Sequence, residues 1–323
     1  MIRRSEFLAT MLAAAGLAGG ARAQSYPSRP IRMIVPWPPG QATDLAGRVL
    51  AQKLSEQLGQ PVVAENRAGA GGTIGTDAAA KAAPDGYTIL AASSGPVTTN
   101  PLMQRTPYDV DRDLAPVAML GVSPYMLVAS PSFPAANVRE FIAAVRADPG
   151  KYTFSSSGIG ATAHLISEWF NASADLRAVH VPFPGSAPAL NAVVAGQVHY
   201  TIETLAATNP LVRSDRVKAF GISLARGSAL APGIPPIAEA ADLPGFDVGA
   251  WLGIMAPAGT LRPIVERLAA EIDRAMASAE TRERFAAIGV EVDSRPAEAF
   301  ATYLREQRAV FARIVERANI KLD

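Results

Sequence analysis

Ile31-Arg32-Met33-Ile34-Val35 runs without a break into Pro36-Trp37-Pro38-Pro39-Gly40-Gln41-Ala42-Thr43-Asp44. The apolar residues that follow, Leu45, Val49, Leu50, Leu54 and Leu58, share one helical face that stops at Gly59. An apolar strand, a Gly/Pro loop and a helix opening are the first parts of a βαβ unit. The same order returns twice. Residues 152–154 lead into Ser155-Ser156-Ser157-Gly158-Ile159-Gly160-Ala161-Thr162, and residues 179–182 lead into Phe183-Pro184-Gly185-Ser186-Ala187. None of the three loops contains Lys or Arg. An anion bound there would rest on free backbone N–H groups and the positive end of a helix dipole, which makes a small carboxylate the first ligand to consider.

Working outward, strands and helices alternate. A strand at 62–64 enters Asn66-Arg67-Ala68-Gly69-Ala70-Gly71-Gly72 and a helix through about Ala83; Pro84-Asp85-Gly86 is a turn, 87–91 a strand, and Ser93-Ser94-Gly95 a loop at its end. This βαβαβ order predicts an α/β fold with a parallel, helix-covered sheet whose ligands gather beyond the carboxyl ends of the strands. Residues 117–122 and 125–130 form an extended apolar stretch interrupted by Ser123-Pro124, expected to be a crossing between two lobes. A second crossing is expected near 248–257, after the Pro-rich segment 232–236 and the Pro244-Gly245 turn. Two crossings predict lobe 1 over 24–123 and 249–323 and lobe 2 over 124–248, with a cleft and a hinge between them. Helix 138–146 and strand 217–223 belong to lobe 2. Tail helices at 263–277 and 296–318 are expected to pack back on lobe 1.

Arg3-Arg4, an Ala/Leu/Gly stretch and Ala21-Arg22-Ala23 read as a signal peptide over 1–23, with the mature chain starting at Gln24. Arg3-Arg4 before Phe7-Leu8 resembles a twin-arginine signal with one extra residue of spacing, so Sec and Tat export both stay open. An uncut membrane anchor is the weaker reading, because the apolar stretch is short for a span. Removing Arg3, Arg4, Arg22 and Glu6 from 30 basic and 29 acidic residues leaves 27 against 28, a net of −1 that favours neither nucleic acid nor an anionic membrane. Zero Cys rules out disulfides, thiolate metal sites and a Cys nucleophile.

Catalytic patterns are missing. The three histidines, His164, His180 and His199, lack zinc spacing, and neither a G-x-S-x-G elbow nor a phosphate loop ending Gly-Lys-Ser/Thr occurs. Gly69-x-Gly71-x-x-Ile74 misses the last Gly of the dinucleotide fingerprint. The chain is therefore expected to be no enzyme, with no cofactor and no metal. Ser155-Ser156-Ser157-Gly158 is the best local candidate, although one such loop with Thr162 as helix cap is also an ordinary strand–helix connection. Asp44 either caps its helix or meets a ligand hydroxyl, amine or protonated acid. Gln41 offers donor and acceptor together. Trp37 either walls the cleft or packs. His164 either bonds a carboxylate or caps its own loop.

The motifs together resemble the Bug family of periplasmic solute-binding proteins of tripartite tricarboxylate transporters. They are Tyr26-Pro27-Ser28-Arg29-Pro30-Ile31-Arg32, residues 35–44, Glu65-Asn66-Arg67-Ala68-Gly69-Ala70-Gly71-Gly72, Ala82-Ala83-Pro84-Asp85-Gly86-Tyr87-Thr88, residues 181–190 and Leu252-Gly253-Ile254-Met255-Ala256-Pro257-Ala258-Gly259-Thr260. The resemblance covers residues 26–323 and implies a type II periplasmic binding fold, two αβ lobes on a two-crossing hinge that closes like a flytrap. It implies backbone and hydroxyl donors from two opposing loops around the ligand carboxylate, often through water. Carried over, these loops are Pro38–Asp44 (Pro39, Gly40, Gln41, Ala42, Thr43 and Asp44, beside Trp37) and Ser156–Thr162 (Ser156, Ser157, Gly158, Gly160, Ala161 and Thr162), with His164 behind. Ser94, Gly185, Ser186 and Ala187 are implied neighbours. Two departures stand out: Gln41 replaces a usual Gly, and His199 and Glu203 replace two usual Asp. The expected function is capture of a small organic acid by a monomer and delivery to membrane transporter subunits. The alternatives are a sensor subunit docking on a signalling kinase and, last, a periplasmic hydrolase using Ser157 or His164.

Overall fold

The computed structural model describes residues 26–317 and residue 320. The signal peptide over 1–23 and the start at Gln24 lie outside the described residues. The first lobe opens with three parallel strands, β1 (Ile31–Val35), β2 (Val62–Asn66) and β3 (Thr88–Ser93), joined by helices α1 (Ala42–Leu58) and α2 (Thr73–Ala80). Helix α1 ends where Gly59 takes a left-handed φ of 67°. Its Ala46, Val49, Leu50 and Leu54 bury against Ile31, Met33 and Val35, and each fully buried Leu is worth roughly 1.5–3 kcal/mol. Helix α2 stops at Ala80, short of the expected Ala83. Ser94-Gly95 does not lead into an open loop: a wide helical turn over Gly95–Thr99 follows, then the short α3 (Asn100–Met103) and α4 (Val110–Asp113).

Strand β4 (Leu114–Ala129) is one unbroken 16-residue strand, so the expected interruption at Ser123-Pro124 is absent. Its first part, through Pro124, pairs with β9 (Gly249–Pro257), which in turn pairs with β3. From Tyr125 onward it pairs with β7 (Tyr200–Thr204), and from Met126 also with β8 (Lys218–Ile222). Proline, which has no N–H to give, sits where the strand changes partners. The second lobe adds α5 (Val138–Ala147), β5 (Thr153–Ser156), α6 (Thr162–Ser173), β6 (Val179–Pro182), α7 (Ser186–Val194), α8 (Leu205–Arg213) and α9 (Ile237–Ala240), with β7, β5 and β6 parallel in that order.

Ser223, fully buried just after β8, ties the two crossings together. Its Oγ accepts the Tyr125 N–H (3.0 Å) and donates to the Val248 carbonyl (2.6 Å), while its backbone bonds the same two residues. The C-terminal part holds α10 (Arg262–Ala277), α11 (Ala279–Ala287), β10 (Glu291–Pro296) and α12 (Ala297–Arg317). Polar α11 and β10 carried no pattern that the sequence reading recognised. Pro296 closes β10 and does not open the last helix. Helix α12 also departs from the expectation that the tail packs on lobe 1. Phe300 and Leu304 join a core with Leu90 and Trp251, whereas Phe311 and Ile314 join Phe141 and Phe170 of lobe 2.

Candidate functional site

The parallel strands of each lobe end on one edge, and each end opens toward a helix. In lobe 1 the edge carries residues 36–44 after β1, 67–72 after β2 and Ser94 after β3. Gly75 lets α2 come close: a Cβ there would lie 2.6 Å from the Arg67 carbonyl oxygen and 2.7 Å from Pro36 Cα. Trp37 is half-buried and donates its indole N–H to Ser93 Oγ at 2.8 Å, fastening the first loop to the end of β3 beside buried Ser94. It packs against Gly95.

Asp44 is buried within the first turn of α1 and does not cap it, since the helix opens at Gln41 without a side-chain cap. Its Oδ2 accepts the N–H of Gly40 (2.9 Å), and its Oδ1 accepts from Arg48 Nε (3.0 Å) and Asn66 Nδ2 (2.7 Å). Asn66 Nδ2 also donates to the Trp37 carbonyl at 2.9 Å. Burial opposes the charge on Asp44, but the bonds from Arg48, Gly40 and Asn66 outweigh it and hold the carboxyl below its usual range. The three hydrogen bonds that Asp44 accepts all come from the loop and its neighbours, so Asp44 shapes the loop. Gly40 has a φ of +90°, which suits glycine, whereas Gln41 is extended (φ −74°), so a side chain there brings no strain. Pro39, Gly40 and Gln41 are exposed, Ala42 is half-buried and Thr43 is buried.

In lobe 2, Ser155 and Ser156 belong to β5 and not to the loop. Ser156 Oγ meets His180 Nε2 at 2.7 Å and lies 3.1 Å from the Gly158 carbonyl. The Ser156 carbonyl accepts the Phe183 N–H at 3.0 Å, joining the loop after β5 to the loop after β6. His164 Nδ1 accepts the N–H of Gly160 at 3.1 Å, which places its proton on Nε2, 3.6 Å from Glu168. His164 and His180 stack with centroids 3.9 Å apart. Burial, then the neighbouring His164, pushes the His180 pKa down to about 4. Gly158 (φ +137°) and Gly160 (φ +74°) bend the loop. Helix α6 opens at Ala161 with no side-chain cap, so Thr162 is its first residue and not the cap that its sequence position suggested. Gly185 precedes Ser186 and Ala187 at the opening of α7, and Glu203 is the next-to-last residue of β7, followed by Thr204, which ends the strand and stands at the N-cap of α8.

Each named residue therefore sits on the strand-end edge of its own lobe, with Trp37 through Asp44 and Ser94 on one and Ser156 through Glu203 on the other. Sequence reading passed over Arg48, Asn66 and His180 as site residues. Asn66 was legible in principle, because it ends β2 opposite Val35 in a parallel pair. Among the described residues no group of three or more His, Cys, Asp or Glu side chains could hold a metal ion, and no helix is long and apolar enough to cross a membrane.

With this geometry in hand, the family model described as the tripartite tricarboxylate transporter family receptor matches residues 46–320. Protein BugT of Bordetella pertussis is 41% identical over 291 residues, 90% of this chain and 89% of that protein. Two solved proteins of Rhodopseudomonas palustris are similar throughout. Rpa4515, described with adipate, is 31% identical with a TM-score of 0.78, covering 92% of this chain and 99% of that one. MatC, with bound malate, is 33% identical with a TM-score of 0.73, covering 90% and 100%. The two-lobe α/β fold and these matches place the chain among solute-binding proteins and not enzymes: it belongs to the Bug, or TctC, family of tripartite tricarboxylate transporter receptors.

Proposed function

We propose that this chain is a periplasmic receptor that captures a small organic carboxylate between its lobes and hands it to the membrane subunits of a tripartite tricarboxylate-type transporter. One observation carries the reading: two strand-end edges open helices with backbone N–H groups and hydroxyls, and the cations beside the first-lobe loops, Arg48 and Arg67, are already paired with Asp44 and Glu65. The relatives solved with adipate and malate support the same ligand class. Lobe 1, residues 24–123 and 249–323, presents Pro39–Thr43 beside Trp37 and Ser94. Lobe 2, residues 124–248, presents Ser157–Thr162 with Gly185, Ser186 and Ala187. Asp44, Ser156 and His164 hold these loops in shape. A ligand that touches both lobes favours the closed arrangement by its extra contacts there.

The test is thermal unfolding of residues 24–323 with mono-, di- and tricarboxylates, amino acids, aromatic acids and neutral sugars. A ligand at one hundred times its Kd stabilises by about 2.7 kcal/mol, a rise of several degrees in Tm. A Tm raised by sugars and unmoved by every carboxylate overturns the reading.

A further inference from the structure

Glu203 is 1% exposed at the end of β7. Its Oε1 accepts the Thr204 N–H at 2.9 Å, while Oε2 is buried without a hydrogen-bond partner among the described residues. The groups facing this carboxyl are Ser157 from the loop after β5, Ser186 from the first turn of α7 and, from β4, Tyr125, whose hydroxyl lies beside Thr162. No cation is among them. The histidines of the same loops are turned elsewhere, His164 to Gly160 and Glu168, His180 to Ser156. A buried carboxylate with no cation is costly as an anion.

A serine hydroxyl has one proton to give. If Glu203 is ionised, Ser157 and Ser186 can satisfy it only by turning their protons toward it, and they then offer the cleft only their oxygens. If Oε2 carries a proton, it donates to one of these hydroxyls, whose own proton is then free for an incoming anion. The openings of α6, α7 and α8 lie around this point and disfavour an ammonium group there.

Resting on the carboxylate reading above, we propose that Glu203 is the proton-holding residue of the site: capture of a carboxylate brings one proton from solvent onto Oε2, and a Ser157 or Ser186 hydroxyl turns toward the ligand. Burial already pushes the Glu203 carboxyl above its usual range, offset only in part by the Thr204 amide and the hydroxyls of Ser186 and Ser157. An arriving ligand anion pushes it the same way. Glu203 thus acts through the hydroxyls as a positioning residue, and binding and protonation become linked.

Calorimetric titration of adipate and malate between about pH 6 and 8, in two buffers of different protonation enthalpy, tests this on the wild-type chain and Glu203→Gln. The wild type is expected to take up close to one proton per ligand, with a Kd that weakens by up to about tenfold per pH unit. Glu203→Gln, whose amide is a permanent donor, is expected to bind with neither slope nor proton uptake. Binding by the wild type without proton uptake, or a slope that persists in Glu203→Gln, overturns the proposal and leaves the carboxylate reading intact. Failure of every carboxylate to bind at any pH overturns both. The wild-type proton count decides the matter even where the variant does not fold.

Discussion

Asp44 and Arg48 stand one helical turn apart, and what they do is set by a third residue from another strand, Asn66. Replacing Asp44 with Ala strips the Gly40 N–H of its acceptor, takes one of the two acceptors of the Asn66 amide and leaves Arg48 without its carboxylate at a half-exposed site. The expected loss is about 2 kcal/mol of stability, together with weaker ligand binding as the loop from Pro38 to Gln41 loosens. Because the folded-state pKa of Asp44 lies below its ordinary 3.8, its contribution is present above about pH 4 and fades as acid protonates it. Urea denaturation of Asp44→Ala and wild type at neutral pH and near pH 3 checks both parts: the gap between them should narrow in acid, and an equal gap at both values contradicts the account. Sequence had left Asp44 open between cap and ligand contact. The strand alternation placed Asp44 and Asn66 on one edge, but only side-chain geometry shows that Asp44 accepts from Gly40, Arg48 and Asn66.

At the scale of elements, the strand–loop–helix order was legible because apolar runs, glycines and prolines mark it directly. Strands β1 and β6 fall at the residues read from sequence. What escaped were pieces whose form depends on distant partners. Strand β4 passes through Ser123-Pro124 because β9, β7 and Ser223 hold both sides of that point, and β10 exists because Val122 and Gly121 offer it an edge. Gly289, in the turn before β10, is another such piece. It has a φ of +73°, and a Cβ there would lie 2.5 Å from Ala206 Cβ in the first turn of α8. Since the contact joins lobe 1 to lobe 2, Gly289→Ala is expected to cost about 2–3 kcal/mol and to change ligand affinity as well. Adding Ala206→Gly should return the steric part and not the backbone part, as read by denaturant midpoints. A neutral Gly289→Ala sinks this argument.

For the whole molecule, the two crossings, Ser223 between them and α12 laid across both cores restrict relative motion of the lobes to a hinge about β4 and β9. Near the same axis, Arg226 of lobe 2 reaches Glu291 (3.1 Å) and Asp293 (3.4 Å) of β10. A chain of this length has a radius of gyration of ~20 Å when compact. Small-angle scattering should show that radius falling by a few per cent on saturation with a binding carboxylate, and an unchanged curve under saturation speaks against closure. The two lobes were foreseeable from the crossings. The clasp made by α12 was not, because its apolar stripe looks the same whether it covers one core or two.

Strand β9 has a further consequence, for the order in which the fold can assemble. It lies between β3 and β4, pairing Leu90 with Met255 and Val122 with Trp251, so the first sheet has no middle until residues 249–257 are in place. Up to that moment β3 and one side of β4 are bare edges, able to pair with other chains. Closing so long a loop is slow compared with forming local helices. The sheet of lobe 1 therefore cannot be completed until residues 249–257, which follow the whole of lobe 2 in the chain, are available to pair.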